Sequence, residues 1–390
     1  MSINRAIERN TIELLRCVLI LFIVLIHTNL VADLHCENSL YGRIYAYLSE
    51  ILWLSNSLFF AISGYLFFAN TDFTYESYRS KIGRRVNSLI IPYFLWNTLV
   101  WFLYVAGSYF VPSLSNNEIK PIGETGLADV FNIYFSTYGE GLSSSPIDGP
   151  LWFLRNLIVL VFCTPIYYFV LRSHKYSVVL LALACLIPLP TAVYTSVIFF
   201  GLGCYLGIWK IDILRFCDKL YEGLLVFVTI IILERVIEIP SGLEFLSAFA
   251  KHCAGFLVMM ALASKYVRKR QYKADNPLNK SLFFIFALHG IIARLLTKVT
   301  AVWIVDSQNG WLGLAHLANA TISVMICIVV YKITYSISPS ICKRLGRRVN
   351  QQVQNYKTYL KNSHFGVEKF NFSLGLSFNF FCIDIILLSV

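Results

Sequence analysis

Charged residues are scarce in this chain of 390 residues, at 14%, whereas hydrophobic residues make up 57% and the mean hydropathy is +0.63. A soluble domain carries about 25% charged residues, so this composition excludes a soluble globular protein. Apolar runs of about 20 residues recur along the chain, and each is long enough for a helix to cross a bilayer. The first run is too long for a removable signal peptide and lacks a small-residue cleavage site.

Paired cysteine motifs are also absent, since the ten cysteines are scattered, mostly in apolar runs, without a CxxC pair. This spacing argues against a zinc site or a disulfide scaffold, so no metal is expected. The net charge of +11 lies in short loops, where it sets orientation in the lipid bilayer. Binding of nucleic acid is therefore not expected.

The apolar runs predict an all-α, polytopic membrane protein of about ten transmembrane helices, the fifth of them short. Alternate connections are basic: the N-terminus and the loops after every second span. Positively charged short loops stay in the cytoplasm, so both termini are expected there. Residues 1–348 form the expected membrane domain, and residues 349–390 form a C-terminal tail without an assigned role.

Three ionisable residues, Glu13, Arg16 and His27, lie in or beside the first apolar run. The spacing from Arg16 to His27 is about three helical turns, so both side chains point the same way, about 16 Å apart. Glu13 lies one turn before Arg16, where it either joins a site or only neutralises the arginine. Because such groups are costly inside a membrane, they predict a functional face towards a polar interior. Histidine suits general-base work there, since its pKa lies near neutral pH.

A basic loop after the second span contains Lys81, Arg84 and Arg85. These residues either set the topology and meet anionic headgroups or hold a phosphate-bearing ligand. Arginine suits the second role because its planar guanidinium matches phosphate oxygens.

The start of the fourth span carries Trp152, Arg155 and Asn156. Aromatic residues are ordinary at a membrane interface, whereas an arginine and an asparagine in the same turn are less so; an interfacial belt and a site on the acceptor side are both open. His289 lies at lipid depth, where packing and catalytic support are both open. Two histidines near span ends are interpreted as structural: His252 and His316.

Six short motifs occur in order within this topology: Arg16 to His27, Phe59-Phe60-Ala-Ile-Ser63-Gly64-Tyr65, Arg84-Arg85 with Ile91-Pro92-Tyr93, Gly149-Pro150-Leu-Trp152-Phe153, Phe199-Phe200-Gly201-Leu-Gly203, and Ser281 to His289. Each motif alone is weak, but the ordered set is specific. From about Arg9 to Arg348 the chain resembles the membrane acyltransferase-3 family, bacterial O-acyltransferases that modify surface polysaccharides. Phe286 stands where this family often has tyrosine, so a hydroxyl is lacking there.

The resemblance implies an enzyme of the bacterial cytoplasmic (inner) membrane that takes acyl-CoA, with acetyl-CoA expected, from the cytoplasm. A polysaccharide or lipid-linked glycan would be the acceptor, reached from the far side. His27 would be the catalytic base that takes a proton from a sugar hydroxyl, and Arg16 would orient the donor or the acyl group. Arg84 and Arg85 would meet the CoA phosphates.

Direct transfer is expected, because no serine or cysteine lies beside a base in an identifiable arrangement. The His-x4-Asp pattern of soluble acyltransferases is also absent. The alternative function is a transporter or flippase for a glycan or lipid-linked sugar, which would also need charged groups along an aqueous path. A non-catalytic assembly partner is a third hypothesis.

Overall fold

Helices make up all the secondary-structure elements that the computed structural model describes, in residues 3–110, 126–135, 145–184, 187, 189–240, 243–272, 277–303 and 310–345. The helices, in chain order, are α1 (Ile3–His27), α2 (Val31–Leu34), α3 (Leu40–Leu52), α4 (Leu54–Phe68), α5 (Tyr75–Arg85), α6 (Ile91–Phe110), α7 (Leu127–Phe135), α8 (Trp152–Phe162), α9 (Thr164–Leu171), α10 (His174–Ala184), α11 (Thr191–Ile208), α12 (Leu220–Val236), α13 (Glu244–Arg270), α14 (Pro277–Trp303), α15 (Leu312–Ile337) and α16 (Pro339–Arg344). A π-helical turn, Val86–Ile90, joins α5 to α6, and a 3₁₀ turn, Gly149–Leu151, precedes α8. The tail at 349–390 lies outside the described residues.

Seven helical segments are long and apolar enough to cross a membrane, and a bent pair brings the number to eight. This confirms a polytopic helical membrane protein, whereas the expected number of about ten spans is not reached within the described ranges. The remaining two expected spans correspond to α12, with 17 residues, and α10, with 11 residues. Their lengths of about 25 Å and about 16 Å fall short of a hydrocarbon core of about 30 Å.

The fourth expected span is bent and not continuous. Its two halves, α8 and α9, meet at an angle of 58°. Pro165 lies in the first turn of α9, where its missing N–H and its ring prevent continuation of the α8 hydrogen-bond pattern. The Thr164 hydroxyl satisfies one released carbonyl by donating to that of Val161 at 2.8 Å.

Hydrogen bonds show which helix ends lie together. The Tyr65 hydroxyl near the end of α4 donates to Glu8 near the start of α1 at 2.7 Å. The Asn10 amide of α1 donates to the carbonyl of Tyr272, just after α13, at 2.9 Å. We call this end of the bundle the basic end, since it carries several exposed cations: Arg5, Arg9, Arg84, Lys210 and Arg268.

The other end of the bundle, which we call the His27 end, is defined by an ion-pair cluster. Lys251 near the start of α13 contacts Glu50 of α3 at 2.8 Å and Glu234 near the end of α12 at 2.6 Å. Arg235 adds a longer contact of 3.4 Å to Glu50. The start of α13 therefore lies beside the end of α12, so these two helices run in opposite directions, as the alternating loop charges predict.

Helices α4 and α11 pack unusually closely. A Cβ added to Gly64 would overlap the backbone carbonyl of Phe200, and one added to Gly203 would overlap that of Ala61. Backbone therefore touches backbone at this contact, which only glycine permits on both helices. Two of the six sequence motifs, those around Ser63-Gly64 and Gly201-Leu-Gly203, meet here.

Helix α1 lies inside the bundle. It packs against α3, α4, α13, α14 and α15. None of its residues from 10 to 26 is exposed. The face that carries Arg16 and His27 is thus directed into protein and not towards lipid along most of the helix.

Candidate functional site

The last turn of α1, which carries His27, is held by side chains. A helix leaves its final carbonyls without partners inside the helix. The backbone N–H and the hydroxyl of Thr28 both donate to the carbonyl of Val24 at 3.0 Å. His316 of α15 donates through Nε2 to the carbonyl of Leu25 at 2.9 Å. These bonds fix the backbone on which the His27 side chain is mounted.

His316 is in turn fixed by Tyr41 of α3. Since the Leu25 carbonyl can only accept, Nε2 of His316 carries the proton and Nδ1 accepts from the Tyr41 hydroxyl at 3.0 Å. The Tyr41 oxygen also accepts from the N–H of Leu30 at 3.2 Å. His316 therefore belongs to a paired network that joins three helices, in line with its structural interpretation.

His27 and His289 lie side by side, with ring centroids 5.2 Å apart. The His289 side chain is fully buried, and its Nδ1 lies 2.9 Å from the carbonyl of Ile285, so this nitrogen carries the proton. Its Nε2 is buried and has no partner among the described residues. His27 is exposed although its neighbours Ile26 and Thr28 are buried, and it makes no hydrogen bond to the described part of the chain. An accessible imidazole thus adjoins a buried one.

A row of aromatic rings links the histidine pair to α8. The ring centroid of Phe286 lies 6.3 Å from that of His289, and the ring centroid of Phe153 lies 6.0 Å from that of Phe286. Phe60 lies 4.3 Å from Phe153 and 6.3 Å from Trp152. The structure therefore places Trp152 in an aromatic wall that joins the second-span, fourth-span and His289 motifs.

Arg155 and Asn156 hold helices together. Arg155 donates to the carbonyl of Phe135 in α7 at 2.5 Å and to the Asn156 side chain at 3.3 Å. Asn156 donates to the hydroxyl of Ser196 in α11 at 3.4 Å. These bonds connect α8 to two neighbouring helices.

Asp148, which the sequence analysis did not single out, is buried near the same site. Only 2% of this residue is exposed, and its Oδ2 has no hydrogen-bond partner among the described residues. Its backbone N–H donates to Asn97 Oδ1 at 3.2 Å. Burial raises the pKa of Asp148 well above its usual range, and the positive charge of Arg294 opposes this rise. An aspartate before a helical turn normally caps that turn, so its position in the sequence does not indicate any other role.

Gly290 brings α14 against the turn that contains Asp148. A Cβ at Gly290 would lie 2.8 Å from Pro150 Cγ and 3.9 Å from Asp148 Oδ1. Arg294 follows Gly290 by one turn on the same face, and its Nη1 donates to the Tyr104 hydroxyl at 3.0 Å. We call His27, His289, Asp148 and Arg294 the histidine cluster.

Arg16 and Glu13 form the expected ion pair, with Nη1 and Oε1 3.3 Å apart and both side chains mostly buried. Arg16 and His27 share one uninterrupted helix, as their spacing predicts. Ile20 and Ile23 lie between them on nearly the same face and are buried. The expected polar stripe is therefore interrupted, because neighbouring helices pack tightly against the middle of α1.

The three basic candidates after the second span have different surroundings. Lys81 donates to the carbonyl of Phe67 and lies 4.8 Å above its ring, so it packs against the end of α4. Arg84 is exposed and donates to the Ser80 hydroxyl at 3.0 Å. Arg85 is half-buried. Arg84 is thus the most open of the three for a ligand at the basic end.

These features define a helical, multi-pass membrane protein with an internal histidine pair. The chain belongs to the acyltransferase-3 family, whose model, described as an acyltransferase domain, matches residues 9–333. It is similar to the succinoglycan biosynthesis protein ExoH of Rhizobium meliloti (strain 1021), with 25% identity over 183 residues, covering 44% of this chain and 46% of ExoH. The match thus spans about half of that relative's length. No solved structure matches the chain.

Proposed function

We propose that this protein is a membrane O-acyltransferase that moves an acyl group, expected to be acetyl, from acyl-CoA to a sugar hydroxyl of a cell-surface polysaccharide or its lipid-linked precursor. Membership of the acyltransferase-3 family supports acyl transfer. The similarity to a succinoglycan biosynthesis protein supports a polysaccharide acceptor. The observation that carries the proposal is the accessible His27 imidazole beside the buried His289.

In the proposed reaction, His27 takes the proton of the sugar hydroxyl as its oxygen attacks the thioester carbonyl. The new ester C–O bond forms, the C–S bond breaks, and the proton passes to the CoA sulfur. The capped last turn of α1 holds the base in position for this step. His289, with its unpartnered Nε2, offers a second acceptor to the hydroxyl or to the His27 ring.

The donor is proposed to enter from the basic end, which would face the cytoplasm of a bacterial inner membrane. Exposed cations there suit the phosphates of acyl-CoA, and Arg84 is the member of the predicted trio with an open guanidinium. Arg16 lies between that end and His27, where it is proposed to orient the donor.

Arg84→Gln is expected to raise the KM for acetyl-CoA by up to about fivefold, the effect of one exposed charge contact.

A transporter or flippase for a glycan or lipid-linked sugar is the second candidate. The 58° bend between α8 and α9 favours it, since transporters often use interrupted helices. Such a protein would move a glycan across the membrane without changing its acylation.

The test uses inverted membrane vesicles that contain the full chain, the native lipid-linked glycans and labelled acetyl-CoA. His27→Asn is expected to reduce transfer of label to glycan by about 10² to 10⁴-fold, the usual contribution of a general base. The matched control is His35→Asn, which changes an exposed histidine at the same end of the bundle and should keep full transfer. Both variants should be present in the membrane at wild-type levels.

Full transfer by His27→Asn would remove this residue from the mechanism. If the wild-type chain transfers no label, and cells without this protein no longer export the glycan, the transporter hypothesis would replace the acyltransferase hypothesis.

A further inference from the structure

The Asp148 carboxylate is in an unusual position for an aspartate at the start of a helical turn. Residues of this type normally accept hydrogen bonds from the first backbone N–H groups of the helix. The Asp148 side chain makes no such bond to the turn Gly149–Leu151. Its Oδ2 is instead buried without a partner among the described residues. Such groups are rare in native structures and call for an explanation.

The surroundings hold this carboxylate in place without satisfying it. Asn97 is fully buried, accepts from the N–H of Asp148 and donates to the carbonyl of Tyr93 at 2.9 Å. The contact between Gly290 and Pro150 then presses α14 against the same turn. The backbone of Asp148 is thus fixed from two sides, while its buried Oδ2 has no partner among the described residues.

The histidine cluster contains two buried polar atoms without partners among the described residues, His289 Nε2 and Asp148 Oδ2. In the tautomer that the structure shows, His289 Nε2 can only accept a hydrogen bond. Burial favours the neutral carboxyl group of Asp148, which has one O–H donor and acceptor oxygens, whereas the positive charge of Arg294 opposes this effect. Sugar hydroxyls both donate and accept, so a sugar has the chemistry to satisfy both groups.

We infer that Asp148 is an acceptor-binding residue, whose carboxyl group forms a hydrogen bond with a sugar hydroxyl next to the one that is acylated. This assignment rests on the proposed function. It predicts a role in binding the glycan and none in binding acyl-CoA, since the donor phosphates are placed at the basic end.

The test measures steady-state transfer by the purified full-length chain from labelled acetyl-CoA to the lipid-linked glycan fraction extracted from the producing bacterium. Asp148→Asn keeps the size of the side chain. It removes the carboxyl O–H and should raise the apparent KM for the glycan fraction by about 2- to 10-fold, the loss expected for one hydrogen bond between neutral groups. The KM for acetyl-CoA and the unfolding temperature should stay unchanged.

Glu238→Gln is the control, since Glu238 is an exposed carboxylate at the His27 end. An unchanged glycan KM in Asp148→Asn, an equal rise in both KM values, or a fall in unfolding temperature without a KM change would overturn the inference and leave the proposed function intact. Failure of the wild-type chain to label the glycan fraction would overturn both.

Discussion

The ion-pair cluster and the histidine cluster lie in the same half of the bundle but differ in whether their buried polar groups have partners. In the ion-pair cluster, Lys251 contacts two carboxylates, and Ser247 donates to Glu234 at 2.8 Å. In the histidine cluster, His289 Nε2 and Asp148 Oδ2 are buried without partners among the described residues. The members of the first cluster are paired within the described chain, whereas these two atoms of the second cluster are not.

Buried atoms without a partner also occur elsewhere in the described chain, for example at His252 Nδ1, so this difference points to function only together with the proposed acceptor. A buried group that is paired within the chain holds helices together, and its loss leaves another group uncompensated. A buried group left unpaired lowers stability unless a ligand supplies the missing bond. Variants in the two clusters should therefore change different measured quantities.

The largest effect on stability is expected for Lys251→Ala. It leaves Glu234 without its cation and Glu50 with only the longer contact to Arg235, so the free energy of unfolding should fall by about 3–5 kcal/mol. Transfer per folded molecule should be unchanged. Unfolding of the purified chain in mixed detergent micelles, with exposed Lys269→Ala as the control, measures this. A loss of transfer without a loss of stability would place Lys251 in the functional site and contradict the structural role of the ion-pair cluster.

The next largest effect is expected for His316→Phe. It removes the donor to the Leu25 carbonyl and the acceptor for Tyr41, and each buried group left unpaired costs about 1–3 kcal/mol. Because this bond fixes the turn that carries His27, kcat should also fall, while the KM for acetyl-CoA should not change. His316→Gln retains an amide donor and should recover part of kcat. A normal kcat in His316→Phe would show that this bond does not position His27.

A smaller effect is expected for Gly290→Ala. The added Cβ would lie 2.8 Å from Pro150 Cγ, so the free energy of unfolding should fall by about 1–3 kcal/mol and the glycan KM should rise. The control is Gly313→Ala in α15, where a Cβ meets no atom within 4 Å. The two substitutions are compared by unfolding and by transfer kinetics. Equal stability of both variants would contradict a tight contact at Gly290.

The smallest effect is expected for Arg235→Gln at the edge of the ion-pair cluster. The Arg235 side chain is 47% exposed, and its 3.4 Å contact to Glu50 is long. Such pairs contribute about 0–1 kcal/mol, so stability should change little and transfer not at all. The same micelle unfolding experiment measures it, and a loss as large as that of Lys251→Ala would make Arg235 an equal member of the cluster.

Local spacing in the sequence predicted the features that depend on one helix. The pairing of Glu13 with Arg16 follows from three-residue spacing and is confirmed. The placement of Arg16 and His27 on one continuous helix is also confirmed. The polytopic helical class follows from hydropathy alone, because each apolar run must satisfy its backbone hydrogen bonds internally.

Features that depend on contacts between helices could not be read from spacing. Nothing in the sequence shows that Lys81 packs on Phe67, or that Asp148 lies beside Gly290, since each contact joins residues of different helices or turns. The burial of Ile20 and Ile23 has the same cause, because it depends on the helices around α1. The functional roles of the candidate residues stay predictions.

The backbone contact between α4 and α11 limits how this protein can move. With Gly64 against Phe200 and Gly203 against Ala61, there is no room for an acyl chain or a lipid tail to pass between the two helices. Sliding of one helix along the other would bring backbone carbonyls and side chains into collision, so the two helices should move as one rigid unit during turnover. Any gate that opens for substrate must therefore hinge elsewhere in the bundle, and spin labels placed on these two helices should keep a constant separation.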